Sequence, residues 1–153
     1  FEFPQRRITV NLAPADLPKE GGRFDLAIAV GILAASDQVA MERIGALEFC
    51  GELSLTGDLR PVRGVLAAAL AAGRGGRGLV LPAGNAAEAA LARRASVLPA
   101  ASLLAVCAHL NGHTALEPVA EAGPPPLAGA SVPDLADVRG QLQARRALEV
   151  AAG

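Results

Sequence analysis

The stretch Val65–Pro82, VLAAALAAGRGGRGLVLP, decides the fold class of this chain. Residues 65–72 are an alanine-rich run with leucines at 66 and 70, a helical pattern that Gly73 is placed to close. Gly78–Pro82 is short, apolar and bounded by Gly and Pro, the pattern of a buried strand. Between them, Gly73, Gly75 and Gly78 have the G-x-G-x-x-G spacing. A dinucleotide loop leaves a strand and enters a helix, so that the helix N-terminus faces the pyrophosphate. Here the order is helix, glycines, strand, and the glycines read as a helix cap and connector.

Working outward, the same alternation continues on both sides. After Pro82, residues 85–95 read as a helix with Asn85 as N-cap and Arg93-Arg94 in its last turn, Val97-Leu98 as a short strand, and residues 101–110 as a helix closed by Asn111-Gly112. Before Val65, Leu47, Phe49, Leu53 and Leu55 alternate, with an irregularity expected at Cys50-Gly51. Thr56-Gly57-Asp58 signals a turn, and Leu59–Val62 returns as the second arm of a hairpin. The apolar run from Asp25 to Ala35 is too long for a strand and reads as a largely buried helix. Ile8, Val10 and Leu12 alternate within residues 7–12 as in a half-buried strand. Strands alternating with helices give an α/β (α+β) fold, a mixed sheet with packed helices.

A change of composition follows. Residues 117–133 hold Pro118, Pro124, Pro125, Pro126 and Pro133 with Gly123 and Gly129, a semi-rigid linker. Beyond it, residues 141–151 read as a helix too short to stand alone in water. The expected organisation is a domain over residues 1–116, a Pro/Gly-rich linker over 117–133, and the start of a second module over 134–153. The chain opens at Phe1 in a segment that already approaches a strand, as a fragment would.

The composition excludes several function classes. The 153 residues suffice for one ordinary domain, and 14 basic against 15 acidic residues leave a net charge of −1, so no global field draws the chain to nucleic acid or an anionic membrane. Trp and Tyr are absent and Phe occurs four times, which leaves few stacking platforms for single strands. Every apolar run is cut well before the roughly 20 residues of a membrane span. Two cysteines, Cys50 and Cys107, and no secretory leader pattern favour a reduced, cytoplasmic setting.

Few residues form a catalytic pattern. Cys107, His109 and His113 lie close in sequence, but Cys107 and His109 diverge by about 200° around a helix and do not converge on one ion. No metal is expected. No Gly-x-Ser-x-Gly elbow is present, and a Ser-Lys dyad has only Lys19, the sole lysine, to draw on. The phosphate-binding pattern Gly-x-x-x-x-Gly-Lys-Ser/Thr is absent from the 153 residues. Charged clusters at Arg6-Arg7, in the loop from Lys19 to Arg23, at Arg74/Arg77, Arg93-Arg94 and Arg145-Arg146 have a bland reading as solvated faces and helix ends, and a sharper one as partner or nucleic-acid contacts.

The blocks from Arg6 to Leu26, containing Pro18-Lys19-Glu20-Gly21-Gly22-Arg23-Phe24-Asp25, and from Gly51 to Gly64, containing Leu55-Thr56-Gly57-Asp58-Leu59-Arg60-Pro61-Val62, closely resemble the N-terminal domain of the magnesium-chelatase-like AAA+ ATPases of the YifB/ComM family. The tail from Asp134 to Gly153 resembles the segment that opens the ATPase module of that family. The resemblance implies about one more strand-helix unit before Phe1 and the phosphate loop shortly after Gly153. The domain also resembles the proteolytic domain of Lon protease, which works by a Ser-Lys dyad. Laid on that pattern, Arg23 stands at the Ser position and Leu66 at the Lys position. Lys19 corresponds to a non-catalytic lysine of the preceding loop. Arg, with a pKa above about 12, is neither nucleophile nor usable base, and Leu has no proton to exchange. A non-catalytic domain is expected.

What the resemblance further implies is a full-length ring, a homo-hexamer driven by ATP and Mg2+, acting on DNA in branch migration during natural transformation. In that setting this domain contacts its own ATPase module and neighbouring subunits. Arg6, Arg7, Lys19, Arg23 and Asp25 are the candidate partner or DNA contacts, with Arg23 expected to pair with Asp25 or a neighbour's carboxylate. Val138, Gly140 and Gln141 resemble the segment approaching the adenine, which without the phosphate loop supplies only a fraction of an ATP site. The fragment itself is expected to bind no cofactor. Direct nucleic-acid binding is the alternative function; a metal-chelatase subunit role and an active serine peptidase rank lower.

Overall fold

The computed structural model describes residues 2, 4–13, 21–93, 95–120 and 134–152. The chain divides into two compact units, Phe1–Ala122 and Gly123–Gly153. In the first, a 3-10 turn at Gly22–Phe24 leads into α1 (Asp25–Ala35), followed by β1 (Leu47–Phe49), β2 (Glu52–Leu53), β3 (Leu59–Arg60), α2 (Val65–Arg74), β4 (Gly78–Pro82), α3 (Ala86–Ala89), β5 (Val97–Ala100) and α4 (Leu103–Leu110). The second holds a 3-10 turn at Leu135–Asp137 and α5 (Leu142–Ala152).

The main sheet is parallel, in the order β1-β4-β5, with Phe49 beside Val80 and Val80 beside Leu98. Successive side chains of a strand point to opposite faces, so β4 serves two cores at once. Val80, with Leu98 of β5, joins Leu26, Val30 and Leu33 of α1 and Val106, Cys107 and Leu110 of α4. Leu79 and Leu81, with Val97, join Val65, Ala69 and Ala72 of α2 and Ala89 of α3. Helices therefore cover both faces of the sheet, as a parallel sheet requires, which explains why β4 reads as an uninterrupted apolar run. The α/β class stands, with the parallel and antiparallel pairings in separate sheets: β2 and β3 form a two-stranded hairpin, Glu52 opposite Arg60.

Cys50 and Gly51 join the two sheets. The Cys50 N–H donates to the Val80 carbonyl at 3.0 Å, extending the parallel ladder by one residue. Gly51 then turns away, donating to the Arg23 carbonyl at 2.9 Å and accepting from the Leu26 N–H at 3.1 Å. The irregularity expected at Cys50-Gly51 is thus the point where the chain leaves one sheet for the other.

Four expectations are corrected. Residues 7–12 form no strand and pair with none among the described residues; periodicity alone forms no strand without a neighbour to bond. Gly73 lies inside α2, which runs on to Arg74 and is capped by Gly75, with Gly76 at φ 66° making the exit. The helix expected over 85–95 is a 3-10 turn, Ala83–Asn85, followed by the single turn of α3. Asn85 does not cap it. Its carboxamide instead accepts the Val62 N–H and donates to the Val62 carbonyl, both at 2.9 Å. Arg94 and most of the 117–133 linker lie outside the described residues.

Candidate functional site

The turn Gly22–Phe24 is held against the Cys50-Gly51 junction by the two main-chain bonds of Gly51, and this fixes where Arg23 points. Space is tight there: a Cβ on Gly22 would lie 2.6 Å from both Asp25 Oδ2 and Glu52 Cγ. The half-buried Arg23 side chain lies beside the Cys50 thiol, and its guanidinium stands 5.6 Å from the centroid of the Phe24 ring, within cation–π range. Burial pushes the Cys50 thiol up, and the charge of Arg23 partly opposes it. The thiol is therefore a packed, protonated group and not a primed nucleophile.

Asp25 sits at the first residue of α1, where a carboxylate faces the positive end of the helix dipole, and its Oδ2 accepts the Leu53 N–H at 3.3 Å. The expected Arg23–Asp25 ion pair is not formed, since Asp25 is turned toward the hairpin and Arg23 toward Cys50. Leu66 stands on the first turn of α2 and packs against the cluster that contains Cys50, Val65 and Ala69, while its N–H donates to Glu88 Oε1 at 3.4 Å. Arg23 thus lies beside Cys50, and Leu66 packs against the apolar cluster of which Cys50 is one member. A cation against a ring and a leucine in an apolar cluster offer no proton relay. Sequence reasoning missed Cys50 as the neighbour of Arg23; only its position at the strand irregularity could have pointed to it.

The remaining candidates lie elsewhere. Arg6 and Arg7 are exposed on the segment that runs along α1, and Lys19 lies outside the described residues. In the second unit, Gly140 and Gln141 both adopt positive φ, 74° and 50°, just ahead of α5. The Val138 carbonyl accepts from Arg145 Nη1 at 3.3 Å, and the Gln141 carbonyl from the Arg145 N–H at 2.9 Å. Of the other charged clusters, Arg77 grips Glu48 through Nε and Nη2 at 2.9 and 2.7 Å, and Arg146 meets Glu149 at 3.1 Å. Cys107 is buried, and His109 uses Nδ1 to accept the Leu116 N–H at 3.1 Å. Among the described residues no group of His, Cys, Asp and Glu gathers as a metal site.

Comparison with known proteins now decides the family. The model of subunit ChlI of Mg-chelatase matches residues 1–85, the span that holds α1, the hairpin, α2 and β4. The chain belongs to this family. Within the ChlI family, it is 50% identical over 99% of its length to the uncharacterized protein YifB of Salmonella typhimurium, 48% identical over 99% to the competence protein ComM of Haemophilus influenzae, and 45% identical over 99% to YifB of Escherichia coli. It is thus a ChlI-family chain of the YifB/ComM kind. It spans 30% of the length of each of these three relatives. Among the described residues no helix is long and apolar enough to cross a membrane.

Proposed function

We propose that this ChlI-family domain is a non-catalytic assembly module of a cytoplasmic, ring-forming AAA+ ATPase that acts on DNA. The observation that carries the reading is the environment of Arg23. The position that a Lon-type peptidase would give to its nucleophile is filled by a cation set beside Cys50 and Phe24, and the position of the general base is filled by Leu66 in an apolar cluster. A Lon-like fold that keeps its loop but lacks its chemistry is suited to holding shape and neighbours. Likeness to a competence protein supports a DNA-directed role for the whole protein, a homo-hexameric branch-migration helicase in this reading. ATP and Mg2+ belong to the full-length ring: the 153 residues contain no phosphate-binding loop, so the segment around Val138, Gly140 and Gln141 does not make a nucleotide site by itself.

The test is Arg23→Glu in the full-length protein. Sedimentation with ATP should report impaired ring assembly, and a branch-migration assay should report lost activity; unchanged behaviour in both overturns the proposal. Direct DNA binding by the isolated chain is the competing outcome. It would appear as binding that weakens steeply with added salt.

A further inference from the structure

Strand β5 is an edge of the main sheet, yet its outer side is not bare. After α4 the chain turns back at Gly112, φ 75°, and further on the Val119 N–H donates to the Val97 carbonyl at 2.9 Å. Between these points the Leu116 N–H is held by His109 Nδ1 at 3.1 Å. Leu116 and Val119 serve the two faces of the sheet: Leu116 packs on the cluster that holds Leu98, and Val119 on the cluster that holds Val97. Residues 116–119 therefore cross the edge of β5 and close the seam between the two cores, which a bare edge would leave open to a foreign strand. The hold is slight. Glu117 and Pro118 are exposed, and Pro118 has no N–H to give. Among the described residues, two main-chain N–H bonds and two half-buried side chains fasten the segment.

We propose that residues 116–119 are a strap that opens as a unit, with His109 as its pin: the neutral ring holds the strap shut, and a proton on Nδ1 releases it. The neutral ring carries its proton on Nε2 and offers a lone pair at Nδ1. Once Nδ1 is protonated, two N–H donors face each other and the bond to Leu116 is lost. Arg43 biases the pin. Its Nη1 donates to the His109 carbonyl at 3.0 Å, so a cation stands at the end of α4 and, with burial, holds the ring below the ordinary histidine value. The other groups around the helix do not offset it. Asp25, the one carboxylate of α1, is turned toward the hairpin, β5 has no charged residue, and Cys107 is buried and protonated. Glu42, His113 and Glu117 are exposed. The shut strap thus favours the neutral ring; its hold is complete above about pH 6.5 and is lost as the pH falls toward the lowered value. Opening bares the edge of β5 and lets the chain leave the domain four residues earlier, about 13 Å of extended reach ahead of the Pro/Gly-rich residues 123–133.

The test is amide hydrogen exchange of the isotope-labelled chain, read by NMR as protection relative to the intrinsic rate, with Val106 inside α4 as the reference. As acid titrates the His109 ring, followed by its own proton shift, protection of Leu116 and Val119 should fall together by about tenfold or more while Val106 keeps its protection. His109→Asn keeps an acceptor near the Nδ1 position and cannot titrate, so both amides should stay protected over the same range. His109→Ala removes the acceptor and should strip both amides already at neutral pH, although Val119 does not touch the ring. Val119 keeping its protection in His109→Ala, the two amides falling separately or only together with Val106, or His109→Asn losing protection with acid as the wild type does, would each overturn the proposal.

Discussion

Asn85 hydrogen-bonds both main-chain groups of Val62, accepting from its N–H and donating to its carbonyl at 2.9 Å each. Asn85 is the one polar residue that is buried among the described residues. Its carboxamide does for Val62 what a neighbouring strand would have done, and so joins the exit of β3 to the turn after β4. Asn85→Ala leaves two inward-facing main-chain groups without partners. The expected loss is about 2–4 kcal/mol, read from urea unfolding.

Gly22 and Gly31 should respond in opposite directions to the same substitution. A methyl at Gly22 meets Asp25 Oδ2 and Glu52 Cγ at 2.6 Å, so Gly22→Ala displaces the turn that carries Arg23 and is expected to cost about 1–3 kcal/mol. At Gly31, inside α1 and facing open space, Gly31→Ala is expected to add about 0.5–1 kcal/mol. Comparing the two variants by chemical denaturation checks both signs.

His109 makes stability depend on pH. Its imidazole is held below the ordinary value, first by burial and then by the nearby Arg43 guanidinium, and the neutral ring is the form that accepts the Leu116 N–H. The unfolded chain therefore binds a proton at about pH 6.5, where the folded chain does not yet bind one. This contribution is complete above that pH and is lost as the pH falls toward the lowered folded value. Thermal unfolding followed downward from neutral pH should show a falling Tm, and His109→Asn should flatten that part of the profile.

Cys50 reports directly on Arg23. Burial raises the thiol and the guanidinium pulls it back, so Arg23→Gln, which keeps a polar side chain and removes the charge, should move the thiol still higher. Ultraviolet absorbance of the thiolate, followed in a Cys107→Ala background, measures this. An unchanged titration would place Arg23 away from the sulfur.

Legibility followed how local each cause was. Helix α1 and strand β4 occur where the sequence puts them, because an unbroken apolar run bounded by breakers carries its own length and burial. The hairpin was legible for the same reason, since Thr56-Gly57-Asp58 holds its turn chemistry within a few residues: Thr56 Oγ1 donates to Asp58 Oδ2 at 2.6 Å. Asn85 looked like a cap because nothing near it in sequence announces Val62, and residues 7–12 looked like a strand because a pattern does not reveal whether a neighbour exists. At the site, Arg23 and Leu66 could be named from sequence by resemblance. Cys50, the neighbour of Arg23, could not, because their meeting is created by the turn at Gly51.

The hairpin β2–β3 has a consequence for the order in which the domain comes apart. Two strands of two residues each are far too short to persist alone. Both edges are nevertheless fastened: Asp25 holds Leu53 on one strand, while on the opposite strand and its turn Leu59 donates to the Ala101 carbonyl and Leu103 to that of Gly57, each at 2.9 Å. The hairpin thereby clasps the starts of α1 and α4, the two helices on one face of the sheet. Its amides should exchange with solvent only in the opening event that also releases those helices, so the smallest sheet would behave as a latch and not as a fraying edge.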